Sequence, residues 1–482
     1  MSLKDKVSSI SFFCGWALSI SFALGFGTIR IAQANVGDFV GFGARTMALG
    51  GAGVAGDTGG VAAYHNPAAL AGFGKERLTL NYGLVFVRPQ FLPISNVVTQ
   101  NDYVADSSPP LSGSVDTQYR DTFGQVLGLS FELLPDVGHL TVGLVTFLPL
   151  NQLAYMDSGQ PYIPEYFLYR SRTQRPQVEL GAGYQVLPSL RVGAGLHTGF
   201  GLTGNASVFM NTAANRISTM TFAASLKPVF SGYVGVLWTP GAEEGKQEGP
   251  LNLGLVYRMA ASSDMVLPMT ASARVLGTTP AAVDLIFTAA SSLYYDPAAL
   301  ESGVSFKTGD HRWVAQVDYQ IWSGYKTAAL SMSQGTATSG GAQGLIQINP
   351  GILPSYVYSN ILVPRAGWEW NLNRGNTVRL GYSYRPSVLK EVSNGIGNAL
   401  DPSKHLVTAG WGFHFDSFLG YSVPVQLDLA LNYQQLMTQS ITKDSNGNEA
   451  GITANSQQKI GYPGYNAGGR LFGGAVSLAL AF

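Results

Sequence analysis

The chain reads as an all-β protein, a fourteen-stranded antiparallel transmembrane β-barrel with a small N-terminal hatch inside its lumen. Three observations predict this. Apolar and polar residues alternate with period two from residue 76 to the end. The links between the alternating segments switch between short and long. A Gly/Ala-rich stretch with side chains too small to build a core lies between an export signal and the first strand.

Composition points the same way. Of 482 residues, 12% are charged, 46% hydrophobic and 11% aromatic, and the formal net charge is zero. Soluble proteins usually carry about 25% charged residues. No apolar run after residue 34 is long enough for a spanning helix, which needs about 18 residues or more. The near-neutral charge argues against a nucleic-acid partner.

Residues 1–34 read as a signal peptide. Lys4 and Lys6 form the basic start, Ile10 to Ile29 is largely apolar, and Ala32-Gln33-Ala34 is a small-x-small cleavage site. Cys14, the single cysteine, lies inside it, so no disulfide or thiol chemistry is expected after cleavage. Residues 35–75 form the expected hatch, running from Gly41-Phe-Gly-Ala through Gly56 to Tyr64-His-Asn-Pro-Ala-Ala-Leu70. Within it, Gly51-Ala-Gly-Val-Ala-Gly56 spells the dinucleotide fingerprint. That fingerprint needs a strand before it and alternating helices after it, and the sequence shows neither. No cofactor is therefore expected, and the glycines are read as compact packing inside a tube.

Residues 76–482 form the expected barrel. Its strands are placed at 76–87, 122–134, 138–148, 176–187, 189–201, 217–238, 251–261, 298–307, 311–322, 361–373, 376–385, 404–416, 423–435 and 470–482. In the first, Leu78, Leu80, Tyr82, Leu84 and Phe86 alternate with Arg77, Thr79, Asn81 and Gly83. Short links fall near Pro135-Asp136, Pro188, Gly309-Asp310, Arg374-Gly375 and 416–422. Long loops fall at 88–121, 149–175, 202–216, 262–297, 323–360, 386–403 and 436–469. An even strand number with short periplasmic turns and long external loops is the pattern of a bacterial outer-membrane barrel. The last strand ends in Phe482, which resembles the signal read by the outer-membrane assembly machinery.

The alternation aims Glu301, Lys307, Gln316, Asp318, Gln320, Arg365, Glu369, Asn371, Arg379, Arg385, Asp428 and Asn432 into the lumen. Both signs are present, so mutual neutralisation and contacts to the hatch are expected. The long loops are greasy. Leu153, Tyr155, Met156, Tyr162, Ile163, Tyr166, Phe167, Leu168 and Tyr169 are followed by Arg170, Arg172 and Arg175. Residues 284–295 read as a short helix with an apolar face. Exposed apolar patches mark binding surfaces, and neighbouring arginines suit an acidic head group. The histidines (His65, His139, His197, His311, His405 and His414) show no metal-ligand spacing, and no catalytic motif is present. Neither a metal site nor an enzyme is expected.

The Gly-rich segment ending in Asn66-Pro67-Ala68, the run Arg379-Leu-Gly-Tyr-Ser-Tyr384, the strand count and Phe482 resemble the FadL/TodX family. These are outer-membrane transporters for long-chain fatty acids and other hydrophobic compounds. The resemblance implies a monomeric barrel plugged by its hatch, working passively. Fatty acids or neutral and aromatic hydrocarbons are captured on apolar external loops and passed to a pocket against the hatch. They leave sideways into outer-membrane lipid through a gap at a kinked strand, here near Gly143 and Pro149. Asn66, Pro67 and Ala68 become the hatch bend and gate, and Leu153, Tyr155, Met156, Tyr166 and Phe167 the capture surface. Arg170, Arg172, Arg365 and Arg379 become candidate head-group holders. The Gly50-Gly-Ala-Gly53 run is also similar to barrels of the PorV type, so a secretion-associated interaction barrel is the alternative.

Overall fold

The structure is a computed structural model. It describes residues 42–56, 59–71, 78–100, 111–134, 139–151, 162–169, 175–211, 216–242, 249–275, 281–325, 331–332, 335–337, 347–348, 356–391, 397–417, 423–443, 449–450, 457–458 and 460–482. Fourteen strands form the wall. They are β1 (Leu78–Phe91), β2 (Thr122–Leu134), β3 (Leu140–Pro149), β4 (Gln177–Leu187), β5 (Leu190–Asn211), β6 (Arg216–Trp238) and β7 (Leu251–Arg258). The second half comprises β8 (Ala298–Thr308), β9 (His311–Ile321), β10 (Ile361–Asn373), β11 (Asn376–Arg385), β12 (Lys404–Phe415), β13 (Val425–Thr442) and β14 (Gly464–Ala481).

Each strand pairs antiparallel with the next. β14 then pairs with β1, from Thr79 opposite Ala481 to Phe91 opposite Gly469, which closes the ring. Closure satisfies every wall hydrogen bond without water, as a bilayer demands. No described helix is long and apolar enough to cross a membrane.

Side chains sort as the period-two pattern expects. Leu180, Leu196, Val234, Leu255, Leu300, Leu380, Val407 and Leu431 are exposed on the outer face, where lipid covers them. Trp238, Trp313, Trp370 and Trp411 lie toward the short-turn end and supply an interfacial aromatic girdle. Gln316, Asp318, Gln320, Arg365, Glu369, Arg379, Asp428 and Asn432 are buried on the inner face.

The structure departs from the sequence reading on the external side. β5, β13 and β14 run well past their expected ends, while β6 matches its expected span. The expected 262–297 loop is instead a hairpin, Ala261–Val275 paired with Ala281–Asp296, and its first strand lies parallel to the end of β5. The short helix expected at 284–295 is therefore a strand. Val283, Ile286, Phe287 and Tyr295 are β-branched or aromatic residues that favour a pleated ladder, and a partner strand is available to them. The wall gap expected near Gly143 and Pro149 is not open. β3 pairs without interruption to β4 from Thr141 to Phe147, and to β2 over the same stretch.

Residues 42–56 and 59–71 lie inside the ring. They form α1 (Ala44–Ala48), α2 (Ala62–His65) and a 3-10 turn (Pro67–Leu70). Inward glycines let them approach the wall. A Cβ built on Gly183 would lie 2.4 Å from Pro67 O, one on Gly235 2.2 Å from Asn66 Oδ1, and one on Gly254 2.4 Å from Val54 O. Gly143, where a kink was expected, leaves room for Leu70, whose Cδ2 would sit 2.6 Å from an added Cβ. At Gly381 the clash would be with backbone: 2.1 Å to Gly50 N and 2.4 Å to Leu49 C. Gly50 cannot easily yield, because its φ of +71° already suits glycine alone. Gly381→Val is expected to cost about 1–3 kcal/mol through overpacking. Its readout is faster protease cleavage within residues 42–71 while the barrel keeps its heat-modifiable gel mobility. Unchanged cleavage would contradict this packing.

Candidate functional site

The interior segment is fastened to the wall around the circumference. Ala44 N donates to Ser477 Oγ of β14 at 3.3 Å, Gly50 N to Thr408 Oγ1 of β12 at 3.1 Å, and Val54 N to Gln316 Oε1 of β9 at 3.1 Å. Gly60 N donates to Asn81 Oδ1 of β1 at 3.0 Å, and Tyr233 Oη of β6 donates to Ala63 O at 2.5 Å. Arg258 of β7 donates to Tyr64 O and His65 O, pairs with Glu301 at 2.8 Å, and lies over the rings of Tyr64 and Tyr233.

Asn66 is the densest of these ties and is fully buried. Its Oδ1 accepts from Ala68 N at 3.0 Å, capping the 3-10 turn, with Pro67 at the first position. Its Nδ2 donates to Val54 O at 2.9 Å and to Val236 O of β6 at 3.1 Å. One amide thus joins the bend, the earlier half of the segment and the wall, using the full set of roles an amide offers. Pro67 O approaches Gly183 and Ala68 N approaches Gly193, so the bend is seated against β4 and β5.

A charged row lies below. Arg45 of α1 reaches Glu369 of β10 at 3.1 Å, and Glu369 also pairs with Arg379 of β11 at 2.6 Å and faces Arg312 of β9 at 3.8 Å. Arg379 continues to Asp428 at 2.6 Å. Arg365 pairs with Asp318 at 2.7 Å and donates to Gly50 O at 3.3 Å. Arg365 and Arg379, raised as head-group candidates, thus stand in ion pairs that brace the segment. Sequence reasoning missed Arg45, although it is the sole charge between Gly41 and Gly56. It also missed Arg258, Tyr233 and the row in which Glu179 bonds His197, which sits 3.6 Å from Asp296. Only spatial pairing reveals these residues.

On the external side, folded-in loops cover the lumen with aromatic rings. Tyr166 is fully buried, stacks on Phe91 at 4.0 Å and meets Tyr119 edge-on. Its hydroxyl donates to Gly468 O at 2.9 Å and accepts from Gly468 N at 2.7 Å. Phe167 stacks on Tyr325 at 5.7 Å, next to Tyr358. Leu153, Tyr155, Met156, Arg170 and Arg172 lie outside the described residues. Between the segment and the β1–β14 seam lies a chamber of about 210 Å³. Phe42, Val61, Val85 and Val126 line it together with the small residues Ala475, Ser477 and Ala479, and Asn81 and Asp428 add polar edges. Among the described residues no acidic, histidine or cysteine cluster suits a metal.

Burial pushes the Tyr166 phenol up to about 12, and burial beside Asp401 raises Tyr169 as well. A raised folded-state value means that the stabilisation is fully present below the ordinary tyrosine range, near 10. It is lost as pH climbs through about 12. External proteolysis of the loops should therefore rise above pH 10 in the wild type. Tyr166→Phe, lacking the hydroxyl, should be destabilised by about 1 kcal/mol at neutral pH and show a flatter alkaline response. An identical alkaline profile in both proteins would refute the role of this phenol.

A family model described as outer membrane protein transport protein (OMPP1/FadL/TodX) matches residues 31–467. Alkane uptake protein A of Marinobacter nauticus is 30% identical over 164 residues, and the match spans 33% of this chain and 33% of that protein. Among solved structures, the P. putida toluene transporter TodX superposes with a TM-score of 0.52 at 16% identity, covering 92% of this chain and 99% of TodX. A Pseudomonas aeruginosa FadL homologue gives 0.50 at 15% identity, covering 95% and 99%. At these identities the structural likeness speaks for the fold. The family model covers most of the chain, belongs to transport channels rather than enzymes, and does not favour the PorV-type alternative. The chain is an outer-membrane β-barrel that belongs to the OMPP1/FadL/TodX family of transport proteins.

Proposed function

We propose that the barrel takes up hydrophobic small molecules by diffusion, with the segment around Asn66-Pro67-Ala68 acting as its hatch and gate. The observation that carries this reading is the lumen itself, filled by a separate buried segment tied to the wall at many points and most densely at Asn66. A barrel closed on every seam and filled inside passes nothing unless that segment moves. The relatives named for alkane uptake and toluene transport favour alkanes and monoaromatic hydrocarbons, and fatty acids share the same apolar chemistry.

Capture falls to the apolar loop that includes Leu153, Tyr155 and Met156, with Arg170 and Arg172 beside it for any acidic head group. Tyr166 and Phe167 form an aromatic lid over the lumen. The chamber of about 210 Å³ is the resting place against the hatch; an apolar cavity of about 150 Å³ already holds benzene. Arg365 and Arg379 contact a head group only when their carboxylate partners are displaced. Release goes sideways into outer-membrane lipid through a wall seam that parts when the segment moves, because an apolar solute gains free energy by avoiding water. The protein works as a monomer without cofactor or catalysis, and Phe482 is its mark for the assembly machinery.

The test is uptake of labelled hexadecane, toluene and oleate by a deletion strain carrying the wild type, Asn66→Ala or no protein. Wild-type protein should restore uptake of at least one substrate, and Asn66→Ala should change its rate several-fold. Equal uptake with and without the protein for all three would sink the reading.

A further inference from the structure

The periplasmic end of the lumen holds a second chamber. Its volume is about 580 Å³, and it opens between the turns at Gly309 and Gly375. Arg45 forms its roof from the interior segment. Lys307 and Arg312 line it from β8 and β9, and Arg374 and Arg379 from the β10–β11 hairpin. The carboxylates among its lining residues are Asp310 and Glu369. Cations therefore exceed anions in the lining. The surplus remains after Asp428, which holds Arg379 from behind, is included.

The arrangement around Glu369 is specific. Arg45, Arg379 and Arg312 converge on this one carboxylate at 3.1, 2.6 and 3.8 Å. A concave chamber with protein walls focuses the positive potential of such a cluster. Guanidinium groups offer paired donors that match the geometry of carboxylate and phosphate. Passage of neutral hydrocarbons requires none of this chemistry.

We propose that this vestibule is a binding site for one small oxyanion, a carboxylate or phosphate group entering from the periplasmic side. Lys307 and Arg374 at the exposed rim attract it, and Arg45 and Arg312 hold it beside Glu369. The occupant is either a free inorganic oxyanion or the carboxylate of an aliphatic acid. Both carry the same charge and acceptor geometry.

The site is tested by titrating full-length purified protein in neutral detergent, at low ionic strength, with sodium phosphate in one arm and sodium hexanoate in the other. Saturable binding at one site is expected. Lys307→Ala/Arg374→Ala should weaken it at least tenfold, because both side chains are exposed at the rim rather than packed in the wall. Salt near 1 M, where screening acts within about 3 Å, should weaken wild-type binding comparably. Tighter phosphate binding identifies a free oxyanion as occupant, and tighter hexanoate binding an aliphatic acid. Absence of saturable binding in both arms overturns the site, as does affinity indifferent to both salt and the double substitution. Because no uptake is measured, failure here is distinguishable from failure of the transport reading.

Discussion

Asn66→Asp is expected to unseat the interior segment more thoroughly than Asn66→Ala. The native amide gives its Nδ2 protons to Val54 O and Val236 O, while its oxygen accepts from Ala68 N. Alanine leaves one donor and two carbonyls without this partner in a buried site, at about 1–3 kcal/mol for each orphaned group. Aspartate keeps the bond to Ala68 N but turns a carboxylate oxygen toward two carbonyl oxygens, with no water to soften the repulsion. Planar-bilayer recordings should show rare open events in the wild type, more in Asn66→Ala and most in Asn66→Asp. Protease cleavage within residues 42–71 should follow the same order. An aspartate variant as closed as wild type would refute the assigned bonding.

Glu369→Gln carries the second large effect. Removing this carboxylate strips a buried anion from among Arg45, Arg312 and Arg379. Breaking a buried pair from one side costs about 3–5 kcal/mol, because the remaining charge stays desolvated. Arg379 retains Asp428, so the damage falls on Arg312 and on Arg45, and through Arg45 on α1. The heat-modification midpoint should drop in Glu369→Gln, and Arg45→Gln/Glu369→Gln should lose less than the two single variants combined. That coupling is what residues in direct contact show. Strict additivity would mean that Arg45 does not depend on Glu369.

The wall was legible in the sequence because lipid outside and a polar lumen inside impose a contrast at every second residue. β2, β10 and β11 begin and end where the alternation does. The contrast fades once strands leave the bilayer. Residues 202–211 and 436–442 continue as strand beyond the alternation that marks the wall. The same fading let 284–295 pass for a helix. Inside the barrel, alternation placed Arg365, Glu369 and Arg379 correctly on the inner face. It carried no information on which cation meets which carboxylate, because partners such as Arg45 and Glu369 are far apart in the chain. Tyr166 and Phe167 stood out as part of a greasy run. Their stacking on Phe91 and Tyr325 joins loops from different strands, which local pattern cannot reveal.

The interior segment as gate can be tested by locking it. The only cysteine, Cys14, lies in the signal, and the cell envelope outside the cytoplasm supports disulfides. A Cβ built on Gly303 of β8 lies 3.4 Å from the Cβ of Ala55, close to the disulfide range. Uptake of labelled hexadecane and toluene should be measured with Ala55→Cys/Gly303→Cys, oxidised and then reduced, beside each single variant. If movement of the segment opens the path, the oxidised double variant is nearly inactive while the reduced form and the single variants approach wild type. Wild-type uptake through a fully oxidised, locked barrel would contradict it.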